Sequence, residues 1–261
     1  MKNPRVAALA LALLAACACA ICCLPAKAAA GWQQGEFDSS GKPVTEYHCA
    51  PASAGPHPAV ILLHGAGPAS FGNSEFAAMC AELAGDGYYT EYIEYYTQTG
   101  PVGAQDITHI QKYYLTWMTE IRSGIDAMDK NPAVDSKRIA VVGFSLGSFL
   151  ALSTGATDPG KLAAIVEYYG GLPPPFQSMA ANLPPTLILH GDADELVPVA
   201  QARTLDGLMT AAKRPHEMRI YPGANHAFNF AGLPMWYDAA DAQDAWRRTL
   251  GFLTEYLGGR N

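Results

Sequence analysis

A chain of 261 residues that is 49% hydrophobic and 16% charged can bury a sizeable core and is too apolar for disorder. Its net charge of −7, with no Lys/Arg run, argues against a nucleic-acid partner.

The chain opens on a leader. Lys2 and Arg5 precede an apolar stretch from Val6 to Leu24, and Ala26-Lys27-Ala28 supplies an A-x-A cleavage pattern. Residues 1–28 therefore read as a secretory signal peptide and residues 29–261 as a single mature domain, exported to the periplasm or beyond the cell. Cleavage would remove Lys2, Arg5 and Lys27 and no acid, leaving 14 of the 17 basic residues against 24 acids, a net charge of −10. Two alternatives stand beside this reading. The stretch is near the lower limit of a membrane span. Leu14-Ala15-Ala16-Cys17 also resembles a bacterial lipobox, although the residues after Cys17 stay apolar through Leu24. Membrane contact is expected only if the leader is retained or Cys17 is lipidated. Beyond the leader only Cys49 and Cys80 remain, either paired in an oxidising compartment or left as two buried thiols.

"HPAVILLHGAG" (57–67) is an apolar run ended by glycines, as suits a buried strand and its exit loop. A helix follows within 73–88, with Ser74 as its cap and Gly85 and Gly87 as its stop. The aromatic "YYTEYIEYY" (88–96) alternates as a strand, 97–106 is a loop, and 107–130 is a long helix ending at Asn131-Pro132. Strands at 136–144, 162–171 and 184–194 alternate with helices at 146–156 and 199–212. A strand and loop at 216–226 and an amphipathic helix at 238–257 complete the chain. The Pro-rich 170–185 can hold a loop and one helix, not a lid domain. This alternation predicts an α/β fold: a mostly parallel sheet with helices on both faces.

Such a sheet gathers function at the C-terminal ends of its strands. The polar residues there are His64, Ser145, Glu167, His190, Asp192, Asp194 and His226. "GFSLG" (143–147) fits G-x-S-x-G, in which a strained strand-to-helix turn lifts a serine above the sheet. The helix beginning at Leu146 aims its N-terminal amides at the same spot and favours developing negative charge. A serine needs a base, and the expected chain order is Ser, acid, His. His226 follows its strand, at the correct sheet edge; His216 precedes that strand and reads as a solvated turn residue. In "LHGDADELVP", Asp192 suits the turn and Asp194 suits the imidazole N–H. Glu167 reads as a polar rim residue and a distant third choice of acid. The oxyanion donors are expected from the Leu146 amide and from Ala66, with Gly67 as the alternative, and His64 as a structural residue of that loop.

Together "LLHGAG", "RIAVVGFSLGS", "LILHGDADELVP" and "YPGANHAFNF" resemble the α/β-hydrolase superfamily and, within it, the dienelactone hydrolase family, from about His57 to Tyr256. The resemblance implies the α/β-hydrolase fold without a large lid. It also implies a small-molecule ester as substrate and no cofactor or metal. Dienelactone hydrolases proper use a cysteine nucleophile where this chain has Ser145, and Ser148 replaces a glycine often found after the elbow. A general carboxylic ester hydrolase is the better match. The rivals are a serine peptidase of the prolyl-oligopeptidase type and a non-enzymatic binding protein on the same fold. Aromatics of 88–96 and 227–237 line a pocket or fill the core.

Overall fold

A computed structural model describes residues 31–67, 72–100 and 107–258. The leader with its cleavage and lipobox motifs lies outside these residues, as does most of the loop at 97–106. Among the described residues no helix is long and apolar enough to cross a membrane.

Eight strands form one sheet: β1 (Gln33–Ser39), β2 (Lys42–Cys49), β3 (His57–Leu63), β4 (Tyr89–Ile93), β5 (Val134–Phe144), β6 (Ala164–Tyr168), β7 (Thr186–Gly191) and β8 (His216–Tyr221). Their spatial order is β1-β2-β4-β3-β5-β6-β7-β8. The pairs β1/β2 and β2/β4 are antiparallel and all others are parallel. Strands β3, β4, β6 and β7 are buried along their whole length, and β3 accordingly reads as an apolar run; β4 and β6 each bury a glutamate, Glu91 and Glu167. Helices α2 (Ile107–Asp129), α3 (Leu146–Thr157) and α4 (Ala200–Ala211) cover one face, packing Trp117, Leu150 and Leu205 against Ile61, Val141 and Ile188. Helices α1 (Asn73–Gly85) and α5 (Ala239–Leu257) cover the other, with Phe76, Leu83 and Leu253 against Leu62, Val142 and Val166. Segment 170–185 holds a short 3-10 helix, Pro174–Asn182, and no lid.

Several expectations need correction. The hairpin β1–β2 carries no unbroken apolar run, so the sequence did not announce it. Its signal is the turn Ser40-Gly41, whose φ values of 57° and 80° match the two-residue turn that right-twisted strands prefer. Ser74 does not cap α1. The cap position falls on Gly72 in the left-handed region, and the Ser74 hydroxyl instead donates to Glu75 at 2.7 Å. The strand expected over 88–96 is shorter, because 94–99 closes into turns bonded to the carbonyls of Glu94 and Tyr96. Tyr88, Tyr92, Tyr95 and Tyr96 are core residues.

Cys49, ending β2, and Cys80, inside α1, form a disulfide with Cα atoms 5.7 Å apart. The bridge ties the hairpin to the parallel sheet's helical layer. Replacing both cysteines by serine should cost about 3–4 kcal/mol, because the bridge closes a loop with a sequence separation of 31. A denaturant midpoint that stays in place in the double variant would count against it.

Glu120 of α2 is buried, and neither carboxyl oxygen has a hydrogen-bond partner. Burial pushes it up to about 8, against a smaller pull from Lys42. A carboxyl raised in the folded state contributes stability below its unfolded pKa, and that contribution is lost as pH rises through the folded value. Glu120→Gln should therefore leave unfolding at pH 5 nearly unchanged and stabilise the protein by about 2 kcal/mol at pH 9. Equal shifts at both pH values would show that Glu120 does not titrate this way.

Candidate active site

Ser145 sits between β5 and α3 with φ 53° and ψ −116°, a conformation that L-residues rarely adopt. The flanking glycines make the turn sterically possible. A Cβ on Gly143 would lie 2.6 Å from the Gly147 carbonyl oxygen, and one on Gly147 would lie 2.4 Å from that of Leu63. The Ser145 amide donates to the Tyr168 carbonyl at 2.9 Å. Ser148, one turn into α3, ties the elbow to β6. Its hydroxyl donates to the Gly143 carbonyl at 2.6 Å and accepts from the Tyr168 amide at 3.0 Å. This role explains a serine where a glycine was expected.

The loops after β7 and β8 deliver the other two groups. His226 Nε2 accepts from the Ser145 hydroxyl at 2.9 Å, and its Nδ1 donates to Asp194 Oδ2 at 2.8 Å. The other oxygen of Asp194 accepts from the amides of Leu196 (2.9 Å) and Val197 (2.7 Å), which fixes the carboxylate plane. Burial alone would raise this carboxyl. The adjacent His190 and the hydrogen bond from His226 outweigh it and hold Asp194 far below the ordinary carboxylate range. Asn225 accepts from the His226 amide at 2.6 Å and from that of Glu195 at 3.1 Å, joining the two loops. Gly191 is needed at this junction, since a Cβ there would lie 2.1 Å from the Ala224 carbonyl oxygen. The Tyr169 ring lies 4.7 Å from the His226 ring and Trp236 stands edge-on at 6.3 Å. Tyr169 was not among the sequence candidates, because only the fold brings it to His226; Trp236 belongs to the aromatic stretch 227–237 read as lining a pocket or filling the core.

The structure thus brings Ser145, Asp194 and His226 together and sets the other candidates apart. Asp192 accepts from the Gly223 amide at 2.6 Å, a turn contact. His216 lies at the start of β8, bonded to the Arg214 carbonyl at 2.8 Å and to Asp206 at 3.2 Å, so it is a paired strand residue rather than a solvated turn residue. His64 is buried, stacked 4.1 Å from Tyr95, and bonded through Nδ1 to the Gly65 carbonyl at 2.8 Å. Burial pushes it down to about 4, so it is neutral at ordinary pH. Glu167 is not at a rim; it is wholly buried, with its carboxylate accepting from the Gly170 amide at 2.8 Å. The Leu146 amide opens α3 and has no acceptor within its own helix. The loop carrying Gly65 and Ala66 runs beside the elbow: a Cβ on Gly65 would meet that of Ser145 at 3.3 Å. The pocket aromatics divide, with Phe228 and Phe230 in the core and Tyr237 exposed.

A model of the dienelactone hydrolase family matches residues 44–257. A relative from Yersinia pestis, "Putative carboxymethylenebutenolidase", is 30% identical over 220 residues, 77% of this chain and 79% of its own. The crystal structure of a "Putative Dienelactone Hydrolase" from Klebsiella pneumoniae superposes with a TM-score of 0.72 at 26% identity, covering 86% of this chain and 99% of that one. A dienelactone hydrolase-like promiscuous phosphotriesterase from metagenomic libraries shares the fold at TM-score 0.77 and 21% identity, covering 88% of this chain and 100% of that one. An eight-stranded α/β-hydrolase sheet, a matched span that takes in Ser145, Asp194 and His226, and these relatives place the chain in the dienelactone hydrolase family of hydrolases.

Proposed function

We propose that this protein is an exported serine hydrolase that cleaves carboxylic esters of small molecules through an acyl-enzyme. The observation that carries the proposal is the unbroken hydrogen-bonded chain from Ser145 Oγ through His226 to Asp194. Ser145 attacks the ester carbonyl while His226 Nε2 takes its proton. Asp194, its carboxylate held ionised, stabilises the imidazolium that forms. The oxyanion is received by the Leu146 amide, at the positive end of α3, and by the Ala66 amide. His226 then protonates the leaving alcohol and activates the water that releases the acid.

Two features support the choice of substrate and compartment. Leu196 and Met235, both exposed, stand on the loops after Asp194 and His226 and offer apolar surface to an acyl or aromatic group. The Cys49–Cys80 bridge and the leader-like N-terminus agree with an oxidising destination.

The test is hydrolysis of a p-nitrophenyl ester series beside labelling with a fluorophosphonate probe. Ester turnover with Ser145 labelled is the expected result. Preferential cleavage of amides over the matched esters would assign a peptidase. Neither turnover nor labelling would leave a binding protein on a hydrolase fold.

A further inference from the structure

Behind Asp194, away from Ser145, lies an acid–base pair that the reaction above does not use. Glu167 is in β6 and His190 in β7, and the strand register sets Glu167 against Ile188. His190 is therefore its diagonal neighbour on the same face of the sheet, within reach of a long side chain. The other inward positions on that face are Ile165 and Ile188, both in the apolar core. Glu167 and His190 are each 0% exposed. Two ionisable groups in such a place are costly unless they serve each other.

Their contacts lead to both sides of His226. His190 Nε2 donates to the Val197 carbonyl at 2.8 Å and lies 3.4 Å from Asp194 Oδ2, the oxygen that accepts from His226. The Val197 carbonyl accepts only from a protonated nitrogen, so Nε2 carries a proton. His190 Nδ1 and Glu167 Oε1 are both buried without a hydrogen-bond partner. Glu167 Oε2 accepts from the Gly170 amide at 2.8 Å, next to Tyr169, whose φ is 43° and whose ring lies against His226.

We propose that Glu167 and His190 are buried positioning residues, in which His190 fixes Asp194 Oδ2 on Nδ1 of His226 and Glu167 fixes the Tyr169 turn against the His226 ring. The electrostatics agree. Burial disfavours the His190 cation, yet the Asp194 contact, the Glu167 charge and the Val197 carbonyl together raise its pKa. Burial raises Glu167 to about 7, with the His190 charge and the Gly170 amide opposing it. The ionisable groups acting on His190 are Asp194 and Glu167. Those touching His226 are Ser145, Asp194 and Tyr169. From α3 and α4, Ser148 and Gln201 border Gly170 and Gly171, and neither is charged.

This inference rests on the serine-hydrolase reading for its kinetic arm but not for its spectroscopic one. Nitrogen-15 NMR of the histidine-labelled wild-type protein reads the protonation of His190 without any turnover. The expected spectrum has His190 Nε2 protonated, held on the Val197 carbonyl; an unprotonated Nε2 overturns the role given to His190. In the kinetic arm, His190→Gln and Glu167→Gln each keep a polar side chain while removing the ionisable group. Either change loosens the hold on Asp194 or on the His226 ring, so the acid limb of the kcat/KM profile should move in both variants. The expected loss in kcat is about 10- to 100-fold, with KM within about twofold. A folded Glu167→Gln enzyme with wild-type kcat and an unmoved acid limb overturns the proposal, even if His190→Gln fails to fold. Absence of all turnover and of Ser145 labelling would instead sink the hydrolase reading, and the NMR spectrum would still decide the role of His190.

Discussion

Replacing Ser145 with alanine should lower ester turnover by about 10⁴-fold or more, with the fold intact. The reason is local. The Ser145 hydroxyl is the group hydrogen-bonded to His226 Nε2, at 2.9 Å, and no other hydroxyl or thiol is bonded to that nitrogen among the described residues. The imidazole itself stays in place, because Asp194 holds Nδ1 and Asn225 holds the His226 amide. What survives is slow attack by water assisted by His226 and the oxyanion amides. The check is kcat/KM on a short-chain p-nitrophenyl ester, with thermal unfolding alongside. Turnover within tenfold of wild type would move the nucleophile elsewhere.

Gly147→Ala should cost about 3 kcal/mol of stability and at least about 100-fold in kcat. Its Cβ would lie 2.4 Å from the Leu63 carbonyl oxygen and 2.6 Å from that of His64. Both are backbone atoms of β3 and its exit loop, so no side chain can swing aside. Either α3 moves off the sheet, taking Ser145 and the Leu146 amide with it, or the loop bearing Ala66 moves. Gly207→Ala in α4 is the matched control, since nothing lies within 4 Å of its added methyl. That change should stabilise the protein by about 0.5–1 kcal/mol at unchanged kcat. Unfolding and initial rates on the two variants together check both expectations. A Gly147→Ala enzyme as stable and active as wild type would mean that the elbow has more room than the structure shows.

The parallel core and two of the three residues at its mouth were legible in the sequence for one physical reason. Fully buried strands must be apolar, so a polar residue where the run stops is conspicuous. Ser145 and Asp194 follow such stops; His226 follows β8, a mostly exposed strand, and is marked by its place after that strand in the chain order. Glu167 breaks the rule from inside: it interrupts "AIVEYY" one residue before the strand ends, and sequence alone places it at the rim. What decides its burial is the register of β6 against β7 and the cover of α3, both properties of the assembled sheet. His190, sharing that face, stood among the strand-end polar residues without an assigned task for the same reason. The hairpin β1–β2 escaped because half of its residues face water, so its apolar signal is diluted. Tyr169, just past β6, and Trp236, in the loop after β8, both reach His226, a meeting that no local pattern encodes.

Among the described residues, five other than glycine have a positive φ, and three of them, Ser145, Tyr169 and Ala227, belong to or adjoin the site. Backbone strain of this kind typically costs about 1–3 kcal/mol per residue. For Ser145 that cost is present in every folded molecule, with or without a substrate. Glycine would relieve it: a Ser145→Gly protein, inert toward esters, should melt above the wild type. Stability and activity are thus opposed at one torsion angle, and selection for robustness alone would erode the site there first.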